Sequence, residues 1–217
     1  VECVYATTEQ AVAGGDNHAS CPKCKGAGRV AGDEKLLRYL YEHQHHTPFE
    51  MAGMTIEVQA PIFVFREWHR HRTQSYNELS ARYTELPDLF YVPSLERVTA
   101  GKQSRVNRQE SASGFEEEDA VWVQQVLLTV YSKARNEYER LLEAGVSREL
   151  ARLVIPVAQY SRMRASANLR NWLAFLTLRM AVGAQWEIRQ YANSVAAFVA
   201  KAFPHTYALF IRGESNG

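Results

Sequence analysis

The sequence predicts an α+β protein, a mostly helical single domain with a small central sheet flanked by helices. Apolar residues recur at helical spacing over long stretches, most clearly over 116–144. One stretch, 54–60, alternates apolar and polar residues as a half-buried strand does. No internal repeat is visible.

Residues 1–33 stand apart as a poorly patterned N-terminal segment, so the domain is placed at 34–217. Within the segment, Gly14-Gly15-Asp16-Asn17 signals a turn, and Cys21-Pro22-Lys23-Cys24-Lys25-Gly26-Ala27-Gly28 resembles a tight knuckle. Leu36, Leu37, Leu40 and Tyr41 share one face and predict a helix over 33–45. Thr47-Pro48-Phe49-Glu50 reads as a capping box, with the Thr47 hydroxyl at the N-cap, proline at N1 and glutamate at N3. After the strand, 61–71 reads as a helix with Pro61 in its first turn, and the chain continues as a loop. Residues 86–97 carry two prolines and read as irregular; 100–114 are polar and basic and read as an exposed, mobile loop.

Val121, Val123, Val126, Leu127, Val130 and Tyr131, then Tyr138, Leu141 and Leu142, define the long helix that Gly145 closes. Ser147 can cap a helix over 148–155 that stops before Pro156. Residues 158–166 read as extended. Asn168 starts a helix through Met180, and 185–203 form the last helix, stopped by Pro204.

Composition bounds the function. The 217 residues are 46% hydrophobic and 23% charged, with net charge +1, so a broad nucleic-acid coat is not expected. No apolar run is long enough for a transmembrane helix, and no signal peptide is visible. Three cysteines cannot all pair within the chain, which fits a cytoplasmic setting. His18, Cys21 and Cys24, with Cys3 upstream, have the types to hold zinc, but a lone Cys-x-x-Cys equally reads as a plain loop or a redox pair; no metal is assigned.

The densest chemistry lies at 70–82. Arg70, Arg72 and Arg82 supply permanent cations, and His71 adds another when protonated. Ser75, Asn77 and Ser80 add hydrogen-bonding groups, and Glu78 is the only acid. A guanidinium presents a planar fork of donors that matches phosphate oxygens two at a time. Several forks beside hydroxyls suggest a site for a phosphorylated ligand; the plainer alternative is a solvated basic loop.

Arg70, His71, Arg72, Ser75, Asn77, Glu78, Ser80 and Arg82 fill every fixed position of the signature of flavin-dependent thymidylate synthases. The resemblance extends to His45-His46-Thr47-Pro48-Phe49-Glu50, Ala60-Pro61-Ile62-Phe63-Val64, Phe90-Tyr91-Val92-Pro93-Ser94, Ser147-Arg148-Glu149-Leu150-Ala151-Arg152, Asn168-Leu169-Arg170, Leu178-Arg179 and Gln185-Trp186-Glu187-Ile188. It covers about residues 34–205 and implies a homotetramer with the ligand cleft shared between subunits. It implies FAD contacts from His45, Thr47, Arg70, His71, Arg72, Glu78, Asn168, Leu169 and Arg170. It implies dUMP contacts from Glu67, Trp68, Arg70, Glu78, Leu79, Ser80, Ala81, Arg82, Arg152 and Arg179. The activity implied is conversion of dUMP to dTMP, with methylenetetrahydrofolate as carbon donor, NADPH as reductant and FAD carrying the reducing equivalents.

Cys3, Cys21 and Cys24 all lie far in sequence from the arginine cluster, so a route without an enzymic cysteine nucleophile is the simpler one. Arg179 is the catalytic candidate: the resemblance places its guanidinium against the N3–O4 edge of uracil, where it stabilises an ionised pyrimidine without giving up a proton. Alternatively, Arg179 pairs with Glu187 or another acid. Arg152 is a phosphate ligand or a partly buried ion pair, and Ser80 a nucleotide contact or a turn hydroxyl. Two departures from the family stand out. Glu67 replaces a residue that is commonly Gln, leaving dCMP open as substrate, and Gly28-Arg29-Val30-Ala31 replaces Ala-Arg-x-Ser. The competing readings are an enzyme of this fold with a different product, such as a hydroxymethylated one, and a nucleic-acid-binding module using the arginines with the basic stretch 102–108.

Overall fold

A computed structural model describes residues 32–103, 111–112 and 115–214. The Cys21–Cys24 knuckle and most of the basic stretch 102–108 lie outside the described residues. The elements are α1 (Asp33–Glu42), α2 (Thr47–Glu50), β1 (Gly53–Pro61), α3 (Ile62–Trp68), β2 (Ser75–Glu78), α4 (Leu95–Thr99), β3 (Lys102–Gln103), β4 (Ser111–Ala112), α5 (Glu117–Glu143), α6 (Arg148–Ala151), β5 (Tyr160–Asn168), α7 (Leu169–Arg179), α8 (Trp186–Ala202) and α9 (Pro204–Glu214). The protein is α+β and mostly helical. Its three-stranded sheet has the order β1-β5-β2, and β3 and β4 form an antiparallel pair.

On β1 and β5, Thr55 Oγ1 donates to Ser166 Oγ at 2.8 Å, and Arg164 Nε lies 3.0 Å from Glu57 Oε2. Numbers rise on one strand as they fall on the other, which is antiparallel register. β5 alternates cleanly: Ser161, Met163 and Ala165 are buried, while Arg162 and Arg164 are exposed.

The chain gathers into two compact units. Of the described residues, unit 1 holds 32–55, 166–181 and 189–214, and unit 2 holds those of 56–165 and 182–188. In unit 1, α1 packs with α9 and α2 with α7. Its core includes Phe49, Trp172, Phe175, Leu176, Val199 and Phe210, and Trp172 Nε1 donates to the Met54 carbonyl at 2.9 Å. Unit 2 buries Val64, Phe65, Trp68, Tyr138, Met163 and Ile188, with α4 and α6 packed on α5.

Several sequence expectations need correction. α1 ends at Glu42 because the chain turns through Gln44 at φ +57°. His46, not Thr47, is the N-cap of α2, and no side-chain cap forms. α3 stops at Trp68, short of 71, and the supposed loop contains β2. Within 86–97, Ser94 Oγ accepts from the Arg97 N–H at 3.2 Å and starts α4. Ser147 precedes α6 without a side-chain cap, and that helix ends at 151, followed by a 3₁₀ turn at 152–154. Pro204 does not end the helical region; it starts α9, where its missing N–H and fixed φ cost nothing.

Two boundaries follow expectation closely. Gly145 at φ +82° closes α5: its N–H bonds Leu142 O and the Val146 N–H bonds Leu141 O, both at 2.9 Å. Asn168 Oδ1 caps α7 by accepting from the Asn171 N–H at 2.9 Å. On α5, only part of the apolar face is covered. Tyr131 and Tyr138 are buried, but Val121, Val126 and Val130 are exposed.

Candidate functional site

The arginine cluster lies in unit 2, on a tight turn after α3. The His69 N–H bonds Phe65 O at 2.8 Å, the His71 N–H bonds Trp68 O at 3.0 Å and the Gln74 N–H bonds His71 O at 3.2 Å. Two aromatic side chains, Trp68 and Tyr76, pin the turn. Trp68 Nε1 donates to Gln74 Oε1 at 3.0 Å, and the Tyr76 hydroxyl sits 2.8 Å from His71 O and 3.1 Å from Trp68 O. Burial pushes the Tyr76 hydroxyl up to about 12, so it remains a donor at neutral pH. The backbone is thus fixed while Arg70 and Arg72 project outward. Among the described residues, no acid or carbonyl takes either guanidinium.

Beside this turn, unit 2 holds a cavity of about 400 Å³. One face of α3 lines it, with Ile62, Phe65, Arg66 and then His69 at helical spacing. Glu78, Leu79, Ser80 and Ala81 follow from the end of β2, with Leu86, Arg152, Ile155 and Ser161 completing the wall. β2 is set against β5 by the Leu79 N–H, which bonds Arg162 O at 2.8 Å. Five of the residues expected at the nucleotide therefore share one cavity: Glu78, Leu79, Ser80, Ala81 and Arg152. Arg66 and His69 also line the cavity; helical spacing puts them on one face, but neither belongs to the signature that marks Glu78 and Ser80. His69 is held by Met163 Sδ, 3.1 Å from its Nε2, and by the Tyr76 ring.

The remaining nucleotide expectations fall elsewhere. Trp68 is wholly buried, with its indole N–H given to Gln74. Arg82 does not line the cavity. It is exposed, donates to Glu149 Oε2 at 3.2 Å and lies 5.7 Å over the Tyr83 ring. Ser80 Oγ accepts only a long 3.4 Å contact from the Arg82 N–H, and Arg152 Nε donates to Glu149 O at 3.3 Å. Arg179 is the half-buried last residue of α7, in unit 1. Glu187, the acid weighed as its partner, accepts from Arg97 Nε at 2.7 Å and from the Tyr91 hydroxyl at 2.9 Å.

That triad carries the clearest charge perturbation. Burial alone would raise the Glu187 carboxyl. The hydrogen bonds from Arg97, its own backbone and Tyr91, with the Arg97 charge, outweigh it and hold the pKa below the ordinary value. Burial and the Glu187 charge push the Tyr91 hydroxyl up.

Unit 1 holds a larger cavity, about 800 Å³, walled by α1, α2, α7 and α9. Arg38, Arg170, Arg212 and His46 supply cationic or polar groups, and Tyr41, Phe49, Leu173 and Phe210 supply apolar surface. Arg170 is the one residue expected at the flavin that lines it. Its guanidinium donates to Glu50 Oε1 at 2.5 Å. His45 and Thr47 are exposed on either side of His46, and the His45 ring stacks 6.0 Å from Tyr39. Asn168 Oδ1 is engaged in capping α7, and Leu169 is buried with its N–H bonded to Ala52 O at 2.8 Å. Arg70, His71, Arg72 and Glu78, the other flavin expectations, belong to unit 2.

Residues 4–205 match the family described as thymidylate synthase complementing protein. A flavin-dependent thymidylate synthase of Thermus thermophilus is 42% identical over 186 residues, which cover 86% of this chain. The chain spans only 66% of that relative's length. Another from Thermosipho africanus is 40% identical over 198 residues, covering 89% of this chain and 83% of that protein. Among solved structures, the crystal structure of a UMP/dUMP methylase, PolB, from Streptomyces cacaoi bound with 5-Br UMP has a TM-score of 0.76 and 38% identity. The match covers 85% of this chain and 84% of that one.

Proposed function

The chain belongs to the flavin-dependent thymidylate synthase family, and from that premise we propose that it transfers a one-carbon unit to C5 of dUMP, giving dTMP. The observation that carries this reading is the cavity of unit 2, where Glu78, Leu79, Ser80, Ala81 and Arg152 converge as nucleotide-binding side chains would. About 400 Å³ lies within the range of small-ligand sites.

Arg152 binds the phosphate, Ser80 adds a hydroxyl, and Glu67, Arg70 and Arg82 complete the nucleotide contacts. Arg179 meets the developing negative charge at the N3–O4 edge of uracil. Its charge is permanent, so it holds an ionised pyrimidine without losing a proton. The route uses no enzymic cysteine.

The residues suit FAD. Its diphosphate calls for cations and its rings for apolar surface, and the unit 1 cavity combines Arg38, Arg170 and Arg212 with Tyr41, Phe49 and Phe210. His45, Thr47, Asn168, Leu169 and Arg170 would hold it, and the family likeness adds Arg70, His71, Arg72 and Glu78 in a cleft shared between subunits of the homotetramer. When bound, the flavin supplies the reducing equivalents, drawn from NADPH, while methylenetetrahydrofolate supplies the carbon.

Self-association as a homotetramer completes the proposal. Trp122, Val126 and Val130 recur along α5 at every fourth position and are all exposed, with Trp122 63% accessible. An apolar stripe of that length on a surface helix marks an interaction face. Light scattering of the protein and of Trp122→Glu tests it: a tetramer that dissociates in the variant is expected, and a monomeric wild type overturns it.

The test of the activity is uptake of FAD, a change in the flavin's visible spectrum on adding dUMP, and mass analysis of products formed with methylenetetrahydrofolate and NADPH. Parallel reactions with UMP and dCMP address the PolB likeness and Glu67. Protein that takes up no FAD, or yields no methylated nucleotide, overturns the proposal. Steeply salt-dependent affinity for RNA or DNA without response to free nucleotide would instead favour the binding module.

A further inference from the structure

Ser161 is 1% exposed, and its Oγ has no hydrogen-bond partner. It lies on the inward face of β5, in register with Met163 and Ala165, where an alanine would be the stable choice. A buried hydroxyl without a partner is destabilising. The same residue lines the unit 2 cavity, whose lining also includes Arg66 and Arg152. Arg66 is exposed, and among the described residues it has no ion pair or hydrogen bond from its guanidinium. One cavity thus contains an unanswered buried donor, an unpaired cation and a second cation tied only to a backbone carbonyl. Glu78 is the one acid in its lining, so the two arginines leave it net positive. A lining with two cations and a free hydroxyl suits a phosphate, which carries charge and several acceptor oxygens, better than the uncharged uracil ring or sugar.

We infer that Ser161 is a phosphate ligand of the bound nucleotide, its Oγ–H donating to a monophosphate oxygen that Arg66 and Arg152 also hold. The inference rests on the nucleotide reading above and extends it to residues outside the family signature. Ser161 forms no covalent bond, since no histidine or other base contacts its Oγ.

The test compares wild type, Ser161→Ala and Ser161→Thr, each loaded with FAD. It measures dUMP affinity, competition by inorganic phosphate, and stability in urea. In Ser161→Ala, affinity for both dUMP and inorganic phosphate should fall about tenfold, the scale of one hydrogen bond to a charged group. Stability without ligand should hold or rise, because the unsatisfied hydroxyl is gone. Ser161→Thr keeps the donor and should bind within about threefold of wild type. Unchanged dUMP affinity in Ser161→Ala overturns the inference while leaving the nucleotide reading intact. So does failure of inorganic phosphate to compete in wild type. Wild-type protein that binds no dUMP overturns both.

Discussion

Trp68 and Gln74 are joined across the arginine turn by a buried hydrogen bond, Nε1 to Oε1 at 3.0 Å. Trp68 is wholly inaccessible and Gln74 is 8% accessible, so both partners are largely shielded from water. Gln74→Leu should cost about 1–3 kcal/mol, because it leaves the indole N–H buried and unanswered. Trp68→Phe strands the amide instead. The double variant removes both polar groups and should be less destabilised than the two single losses added together. Urea denaturation of the four proteins gives the coupling; additive losses would mean the bond does not hold the turn. Arg70 and Arg72 ride on this backbone, so FAD affinity should fall in Gln74→Leu.

The Glu187 triad sets an acid limit on unit 2. Its carboxyl has an ordinary pKa of 4.5 that is lowered in the folded protein. A lowered folded value means the unfolded chain binds the proton more readily. The stabilisation is therefore fully present above about pH 4.5 and is lost as pH falls through the depressed value. Glu187→Gln should cost about 3 kcal/mol at neutral pH, since it leaves Arg97, 18% accessible in its side chain, without its charge partner. It should also flatten the acid limb of the stability curve. An unchanged limb would assign the acid loss to other carboxylates.

Much of this was legible in the sequence, and the rest was hidden for identifiable reasons. The long helix and its glycine stop follow from local periodicity and one αL residue, and Asn168 announces α7 by its own side chain. β2 could not be read because Ser75-Tyr76-Asn77-Glu78 carries a single large apolar residue; its strand geometry comes from β5, a partner more than 80 residues away. α9 was missed because proline was read as a stop when the same constraint serves a helix start. At the site, the signature named the loop but not the wall facing it. Arg66 shares the helical spacing of Ile62, Phe65 and His69, but that this face lines a cavity is visible only in three dimensions. Ser161 could be placed on a buried face by alternation, yet its lack of a partner exists only in three dimensions.

Arg82 provides a test of how surface pairing competes with binding. Its guanidinium is tied to Glu149, both side chains being about half exposed, at 49% and 54%. Such a pair contributes roughly 0–1 kcal/mol, so Glu149→Gln should leave stability nearly unchanged. If Arg82 turns to the phosphate when dUMP arrives, breaking the pair in advance should tighten dUMP two- to threefold, about 0.5 kcal/mol. Isothermal titration measures it. Equal or weaker binding would leave Arg82 as a surface partner of Glu149.

Arg152→Ala separates binding from folding. The residue is only half-buried, and its one side-chain hydrogen bond is a 3.3 Å contact with Glu149 O. Little stability should be lost, within about 1 kcal/mol. Loss of a charge-assisted contact to phosphate should weaken dUMP by about tenfold or more. A large drop in stability with unchanged dUMP affinity would reassign Arg152 to the structure of the 152–154 turn.

Arg179 bears the chemical step in the proposed reaction, and its variants should show a transition-state signature. A guanidinium that meets charge only as the pyrimidine ionises contributes little to ground-state binding and much to rate. Arg179→Ala should lower kcat about 100- to 1,000-fold, the cost of removing one preorganised donor at a developing oxyanion, while dUMP affinity and FAD content change far less. Arg179→Lys keeps the charge but loses the planar fork, so it should recover only part of the rate. Single-turnover flavin reoxidation in the presence of dUMP and methylenetetrahydrofolate gives the chemical step directly, and urea midpoints on the same preparations report folding. Because Arg179 closes α7, a merely structural arginine would instead show parallel losses of midpoint, FAD content and rate, and that pattern would remove it from the chemistry.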